Sequence, residues 1–250
     1  MRGTVMPSAV STRLTDDFWL AANDGTKRKE QVIADWPLGV GTAAGLLGEL
    51  IYAGYLELRD GELFRCGETM SDDPALHTVL ATMAEEEQRW YSAAPGQAWQ
   101  QNDQAWPPQA ESHHRRRGHA LGTWLSYLTY ERRAEKLVVD RLSRTGLVQL
   151  QEQRRWLGRP TVRYVPYNSV ASGSRASAIT TAVRHEHPLS RRQLFLARLF
   201  FATGLHQHAL ATLTPRERSR LADRIAEGLD PMSQELLMAA DATVGEAAMR

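Results

Sequence analysis

The chain has 250 residues, a hydrophobic share of 42%, a charged share of 24% and a formal net charge of +1. That length and balance describe an ordinary globular protein with enough chain for a substantial core. The near-zero charge excludes a global field that would draw in nucleic acid or membrane, so any such attraction has to come from local clusters. Cys66 is the only cysteine, which excludes an intrachain disulfide and a cysteine zinc site.

The opening segment, MRGTVMPSAVSTRL, has no apolar h-region, so no secretory signal is expected and a cytoplasmic location is. Residues 14–22, LTDDFWLAA, carry apolar positions at helical spacing, with Thr15 or Ser11 as caps. Trp36-Pro37 leads into LGVGTAAGLLGELIYA, apolar nearly all round, which is the pattern of a helix buried on most sides. Gly54 is its natural C′ residue, and the segments 55–58 and 62–65 flank RDG as a hairpin. The run Ser71-Asp72-Asp73-Pro74 starts a helix over 75–87, which ends in the acidic run Glu85-Glu86-Glu87, read as solvated. Residues 88–111 scatter three tryptophans among Pro, Gln, Ser and Ala and read as an irregular excursion. After HHRRRGH a long helix is expected from 120 to 144, with Trp124, Leu125, Leu128, Leu137, Val138 and Leu142 as its buried stripe.

At Gly146 the layout of helix, glycine and two extended pieces recurs, with strands over 147–151 and 161–167. The C-terminal part reads as helices over 191–203, 215–227 and 233–248, the second opened by a capping box of Thr214 and Glu217 with Pro215 at its first position. The most apolar runs, 40–58 and 194–205, are interrupted by Glu49 and Arg198 and fall short of the roughly 20 residues a spanning helix needs. The fold class is therefore mainly α with two β-hairpins.

No GxSxG elbow, P-loop, GxGxxG or HExxH is present, and HEH (His185, His187) and HQH (His206, His208) lack an evident third ligand. No enzyme, cofactor or metal is expected. A helix running into a small hairpin is also the layout of a winged-helix DNA reader, but the first such helix offers no Arg, Lys, Asn or Gln, and its Glu49 would repel phosphate. No nucleic-acid partner is expected.

The second hairpin differs. QRRWLGRPTVRY sets Trp156 and Leu157 at the tip beside Arg154, Arg155, Arg159 and Arg163. An indole ringed by guanidinium groups suits the boundary between headgroups and acyl chains. Packing of that tip onto the protein's own core, or onto a second copy or another protein, is the competing reading. On the preceding helix Arg132, Arg133, Lys136, Arg141 and Arg144 read first as a solvated face, with Arg132, Arg133 and Lys136 as a cationic cluster able to hold a phosphorylated headgroup.

Taken in order, LTDDFWLAANDGT, LGVGTAAGLLGELIYAGYLEL with its hairpin, SDDPALHTVLATM and TYERRAEKLVVDRLSRTGLV before a second hairpin resemble the bacterial form of the Golgi phosphoprotein 3 family, from about 14 to 247. The resemblance implies one compact helical domain over 10–250 with an insertion at 88–111, and a non-enzymatic, peripheral protein on the inner face of a membrane. It implies anionic phospholipid, of the phosphatidylinositol 4-phosphate type, as the partner, with a homo-oligomer or a protein contact through the second hairpin as the alternative. The family's lipid site uses a tryptophan before the buried helix, an arginine early in it, and two basic residues three apart on the later helix. Here Trp36 lies within a couple of positions of the tryptophan, Ala43 stands at the arginine, Arg132 matches the first basic residue, and Glu135, flanked by Arg133 and Lys136, stands at the second.

Overall fold

In a computed structural model of the chain, residues 13–23, 31–93, 117–153 and 161–248 are described. Helix α1 (Leu14–Ala22) is followed by α2 (Asp35–Tyr52), the hairpin strands β1 (Leu56–Arg59) and β2 (Glu62–Arg65), and α3 (Pro74–Ala93). Strand β3 (His119–Ala120) leads into α4 (Leu121–Thr129), a 3-10 turn at Tyr130–Arg132 and α5 (Arg133–Arg144). The second hairpin is β4 (Val148–Gln153) and β5 (Thr161–Pro166). Five helices follow: α6 (Ser169–Arg184), α7 (Arg191–Ala202), α8 (His206–Ala209), α9 (Pro215–Gly228) and α10 (Pro231–Ala248). No helix among the described residues is long and apolar enough to cross a membrane.

Helix α2 is the axis, buried from Leu38 to Ile51. Its glycines are the places where neighbours come closest. A Cβ at Gly41 would stand 2.2 Å from the Phe18 ring, and one at Gly48 2.5 Å from Phe195. The glycine-rich pattern therefore records the approach of α1 and α7. Both hairpins leave their helices through the same device. Gly54 and Gly146 take φ of +74° and +70°. Tyr55 N–H reaches Leu50 O and Leu147 N–H reaches Leu142 O, the pairing of a Schellman cap. The repeat seen in the sequence is thus a repeat of helix-exit geometry.

The helix expected over 120–144 is broken. Glu131 and Arg132 sit at φ of +53° and +58°, left-handed conformations that cost a non-glycine residue about 1 kcal/mol or more. The periodicity alone could not reveal this break, because α4 and α5 each keep their own buried stripe. Strand β3 pairs with β2, Leu63 opposite His119, making the first hairpin a three-stranded sheet. Helix α3 continues through Ala93, so the first residues assigned to the excursion are helical; residues 94–116 lie outside those described. Helix α6, rich in Ser, Ala and Thr, was not expected at all. Caps differ too. Asp16 accepts from Arg13 N–H at 3.1 Å, while Thr15 is buried in the helix rather than capping it. The Asp73 carboxylate, not Ser71, takes the free N–H groups of Ala75 and Leu76 at α3.

Arg141 ties three of these helix ends together. Its guanidinium is 2.7 Å from Asp16 Oδ1, 2.8 Å from Glu49 Oε2 and 3.4 Å from Asp73 Oδ1, and all four side chains are almost fully buried. Burial works against the Arg141 charge, but Glu49 and Asp16 more than offset it and hold the guanidinium well above its ordinary value. The sequence reading placed Arg141 on a solvated face; it is instead the core's central charge. Removing it leaves three carboxylates without their shared cation. Arg141→Met is expected to cost about 3–5 kcal/mol in urea unfolding near neutral pH. The deficit has a predictable pH sign. Burial holds Asp16 above the usual carboxylate value, with Arg141 opposing and Glu49 adding. The folded state therefore takes up that proton before the unfolded chain does, gaining stability as pH falls through the folded value. Loss of Arg141 raises Asp16 further, so the variant's deficit should shrink between about pH 7 and about pH 5.

Candidate functional site

At about 100° per residue, the buried arc of α5 runs from Arg141 at one edge through Ala134, Val138, Leu142 and Glu135 to Val139 at the other. Glu135 is pinned from outside the helix. Trp19 Nε1–H donates to its Oε1 at 3.4 Å, and Arg132 reaches it with two bonds of 2.6 Å. The hydrogen bond from Arg132 to Glu135 is the main reason Arg132 is held more firmly charged than an ordinary arginine, with Asp35 of α2 adding a smaller share. Arg132 is therefore committed to covering a buried carboxylate.

The opposite arc carries half-buried Arg133 with exposed Lys136 and Asp140. The Arg133 guanidinium lies 4.2 Å from the ring centroid of Tyr127 and 5.2 Å from that of Tyr130. It also donates to Tyr127 O at 3.4 Å. A cation held between two aromatic faces stays charged without a carboxylate. Among the described residues neither Arg133 nor Lys136 has an ion pair. The two are three apart on the same side of the helix and form a cationic pair that no carboxylate neutralises among the described residues.

The other expected site residues are distributed as follows. Trp36 stands in the first turn of α2, 41% exposed, with its indole N–H donating to Thr243 O of α10 at 3.2 Å. Its neighbour Asp35 brings that helix end within electrostatic reach of Arg132. Ala43 is in the core. The tip residues Arg154, Arg155, Trp156, Leu157 and Arg159 lie outside the described residues. Arg163 lies on β5 opposite Gln151, half-buried. On the other face of the same ribbon Leu150 and Tyr164 form a cross-strand pair, 56% and 37% exposed. His185 and His187 have their rings 5.9 Å apart, and no cluster of three ligating side chains forms among the described residues.

Three features escaped the sequence reading. Tyr127 and Tyr130 were unremarkable in a run of helical residues, though their spacing from Arg133 put them about two turns and one turn away. Glu86 and Glu87 are not a solvated helix end: their carboxylates face the two ring nitrogens of His119 at 3.1 and 3.2 Å. Arg117, from the basic run before β3, stacks 4.6 Å over Trp90. Residues 113–116 of that run lie outside those described.

Residues 14–247 match the model of the family Golgi phosphoprotein 3 (GPP34). The chain belongs to the Golgi phosphoprotein 3 family. The match spans nearly the whole chain, and the mainly α fold with two small antiparallel sheets agrees with it. No curated protein matches the chain. The motifs that suggested the family were, in structural terms, the α2 axis with its glycine contacts and the two helix-to-hairpin exits.

The Arg132–Glu135 clasp and the Arg133–Lys136 pair predict opposite behaviour. Arg132→Ala strips the cover from a buried carboxylate and should lower stability by about 1–2 kcal/mol. Lys136→Ala, on the solvent arc, should change it by less than about 0.5 kcal/mol. Thermal or urea unfolding of the two variants side by side checks the assignment.

Proposed function

We propose that this family member is a non-enzymatic peripheral protein that docks on anionic phospholipid from the inner face of a membrane. The observation that supports the reading is the pair of half-buried Arg133 and exposed Lys136, without a carboxylate partner among the described residues, the arginine bracketed by Tyr127 and Tyr130. Two cations three apart can share one phosphate through charge-assisted bonds. In this reading the basic pair is shifted by one residue from the family pattern: Arg132 is spent on Glu135, and Arg133 with Lys136 does the binding. Trp36 and Arg132 frame the site from α2 and the helix break. A phosphorylated headgroup of the phosphatidylinositol 4-phosphate type is the finer form that family membership favours.

The hairpin tip is the second anchor. Inserting Trp156 and Leu157 is worth on the order of 3–4 kcal/mol, and Arg154, Arg155, Arg159 and Arg163 each add about 1 kcal/mol against an anionic leaflet. A second reading, a soluble adaptor or self-associating protein, has its own support in the exposed Leu150–Tyr164 pair.

Vesicle co-sedimentation separates them. The protein should pellet with phosphatidylglycerol vesicles and not with phosphatidylcholine alone, and salt should weaken the binding. Arg133→Ala with Lys136→Ala should lower affinity about 30-fold, since each cation near the surface is worth about 1 kcal/mol. Equal binding to neutral and anionic vesicles would contradict the proposal. Absence of vesicle binding, with a sedimentation coefficient that falls in Leu150→Ser/Tyr164→Ser, would favour the adaptor.

A further inference from the structure

His119 is the one group at the edge of this site whose contacts cannot all be made at once. Its side chain is fully buried between α3, the first sheet and α4. Glu87 Oε1 faces its Nε2 at 3.2 Å. Two partners compete for Nδ1: Glu86 Oε2 at 3.1 Å, which needs a proton there, and the Trp124 indole N–H at 3.1 Å, which needs a lone pair there. One ring nitrogen cannot serve as donor and acceptor together. The neutral ring with its proton on Nε2 satisfies Glu87 and Trp124. The imidazolium satisfies Glu87 and Glu86 and leaves the buried Trp124 N–H without its acceptor.

Charged groups face His119 from the elements packed around it. From α3 come Glu86 and Glu87, the latter also holding Arg65 of β2 at 3.1 Å. Glu62 of β2 lies beside Gly118, and Arg117 is stacked on Trp90, whose ring is 4.6 Å from His119. From α4 the contact is the uncharged Trp124, and opposite His119 in the ladder is Leu63. Beyond Trp124 the rings continue without a gap. Trp124 packs against Tyr127 at 5.2 Å, and Tyr127 carries Arg133 at 4.2 Å.

We propose that His119 is a positioning residue for the Arg133 face: its neutral ring holds Trp124, and through Trp124 the Tyr127–Arg133 stack, and its protonation releases that hold. The inference rests on the membrane-binding reading above and adds its regulation. A free Trp124 N–H in a buried site is unfavourable, so the indole shifts to find another partner. Tyr127 then loses its backing and Arg133 its fixed geometry, and preorganisation is what the site loses. The consequence is opposite in sign to what a basic surface ordinarily does: affinity for anionic membrane falls when His119 is protonated.

Two readouts test this, one of them free of lipid. The Trp124 indole ¹H–¹⁵N resonance, assigned with Trp124→Phe, should move with pH in the native chain and lose that movement in His119→Gln. Glu86→Gln removes the partner of the imidazolium alone and should shift the movement to lower pH. Binding to phosphatidylglycerol vesicles, whose phosphodiester keeps its charge throughout, should weaken about fivefold from about pH 7.5 to about pH 5.5. In His119→Gln the ratio between the two pH values should fall to about one. A Trp124 signal that is static, or that moves equally in His119→Gln, overturns the proposal. So does a moving signal accompanied by the same binding ratio in both proteins. Absence of binding at either pH would instead overturn the membrane reading, and the coupling with it, whatever the indole does.

Discussion

Everything on this surface depends on how α5 is turned about its own axis, and two buried ionic contacts set that angle. Arg141 engages Asp16, Glu49 and Asp73 at one edge of the helix's buried arc. Glu135, clasped by Arg132 and touched by Trp19, holds the arc toward its other side. Neither contact is a strong net source of stability, because burying charge costs about what the pairing returns. Their value is specificity. A hydrophobic stripe alone tolerates some rotation; a guanidinium that must meet three carboxylates on three other elements does not. With that angle set, Lys136 faces solvent and Arg133 lies half-buried against Tyr127 and Tyr130.

The helix break is the second constraint, and it depends on the first. Two left-handed residues in succession, neither a glycine, need compensation. Arg132 supplies it by closing its two bonds onto Glu135 from the strained position. The break swings α4 away from α5 and lets Tyr130 and Tyr127 close around Arg133. One strained turn thus separates Arg132, bound to Glu135, from Arg133, which has no carboxylate partner among the described residues. In the proposed membrane reading, this lets Arg133 and Lys136 stand in where Glu135 carries no positive charge.

Much of this was legible in the sequence. Hydrophobic periodicity, glycines after helices and the RDG turn located the α2 axis and both hairpins to within a residue or two, because those signals are local. Two kinds of feature were not legible. Long-range ionic pairing was one: Arg141 looks like Arg144 in sequence, and only the meeting of α1, α2 and α3 at its guanidinium distinguishes them. Short-range backbone strain was the other. The α4–α5 break carries no Pro or Gly, so no local signal marked it, and α6 offered too weak an amphipathic pattern to announce itself. The acidic run at 85–87 misled for the same reason as Arg141, since its partner His119 arrives from more than thirty residues away. Among the site residues, Arg133 and Lys136 were named from the sequence, but their distinction from Arg132 came only from its bond to Glu135.

The most direct measurement of the central claim is the depth of the α5 outer face on a membrane. With Cys66 replaced by serine, a spin label at Asp140→Cys sits on the Arg133–Lys136 arc, and one at Ala222→Cys sits on the exposed face of α9. On phosphatidylglycerol vesicles the label at 140 should be shielded from a water-borne relaxation agent while the label at 222 stays fully accessible. Equal accessibility at 140 with and without pelleted vesicles, or shielding at 222 alone, would mean that the protein meets the bilayer by another face.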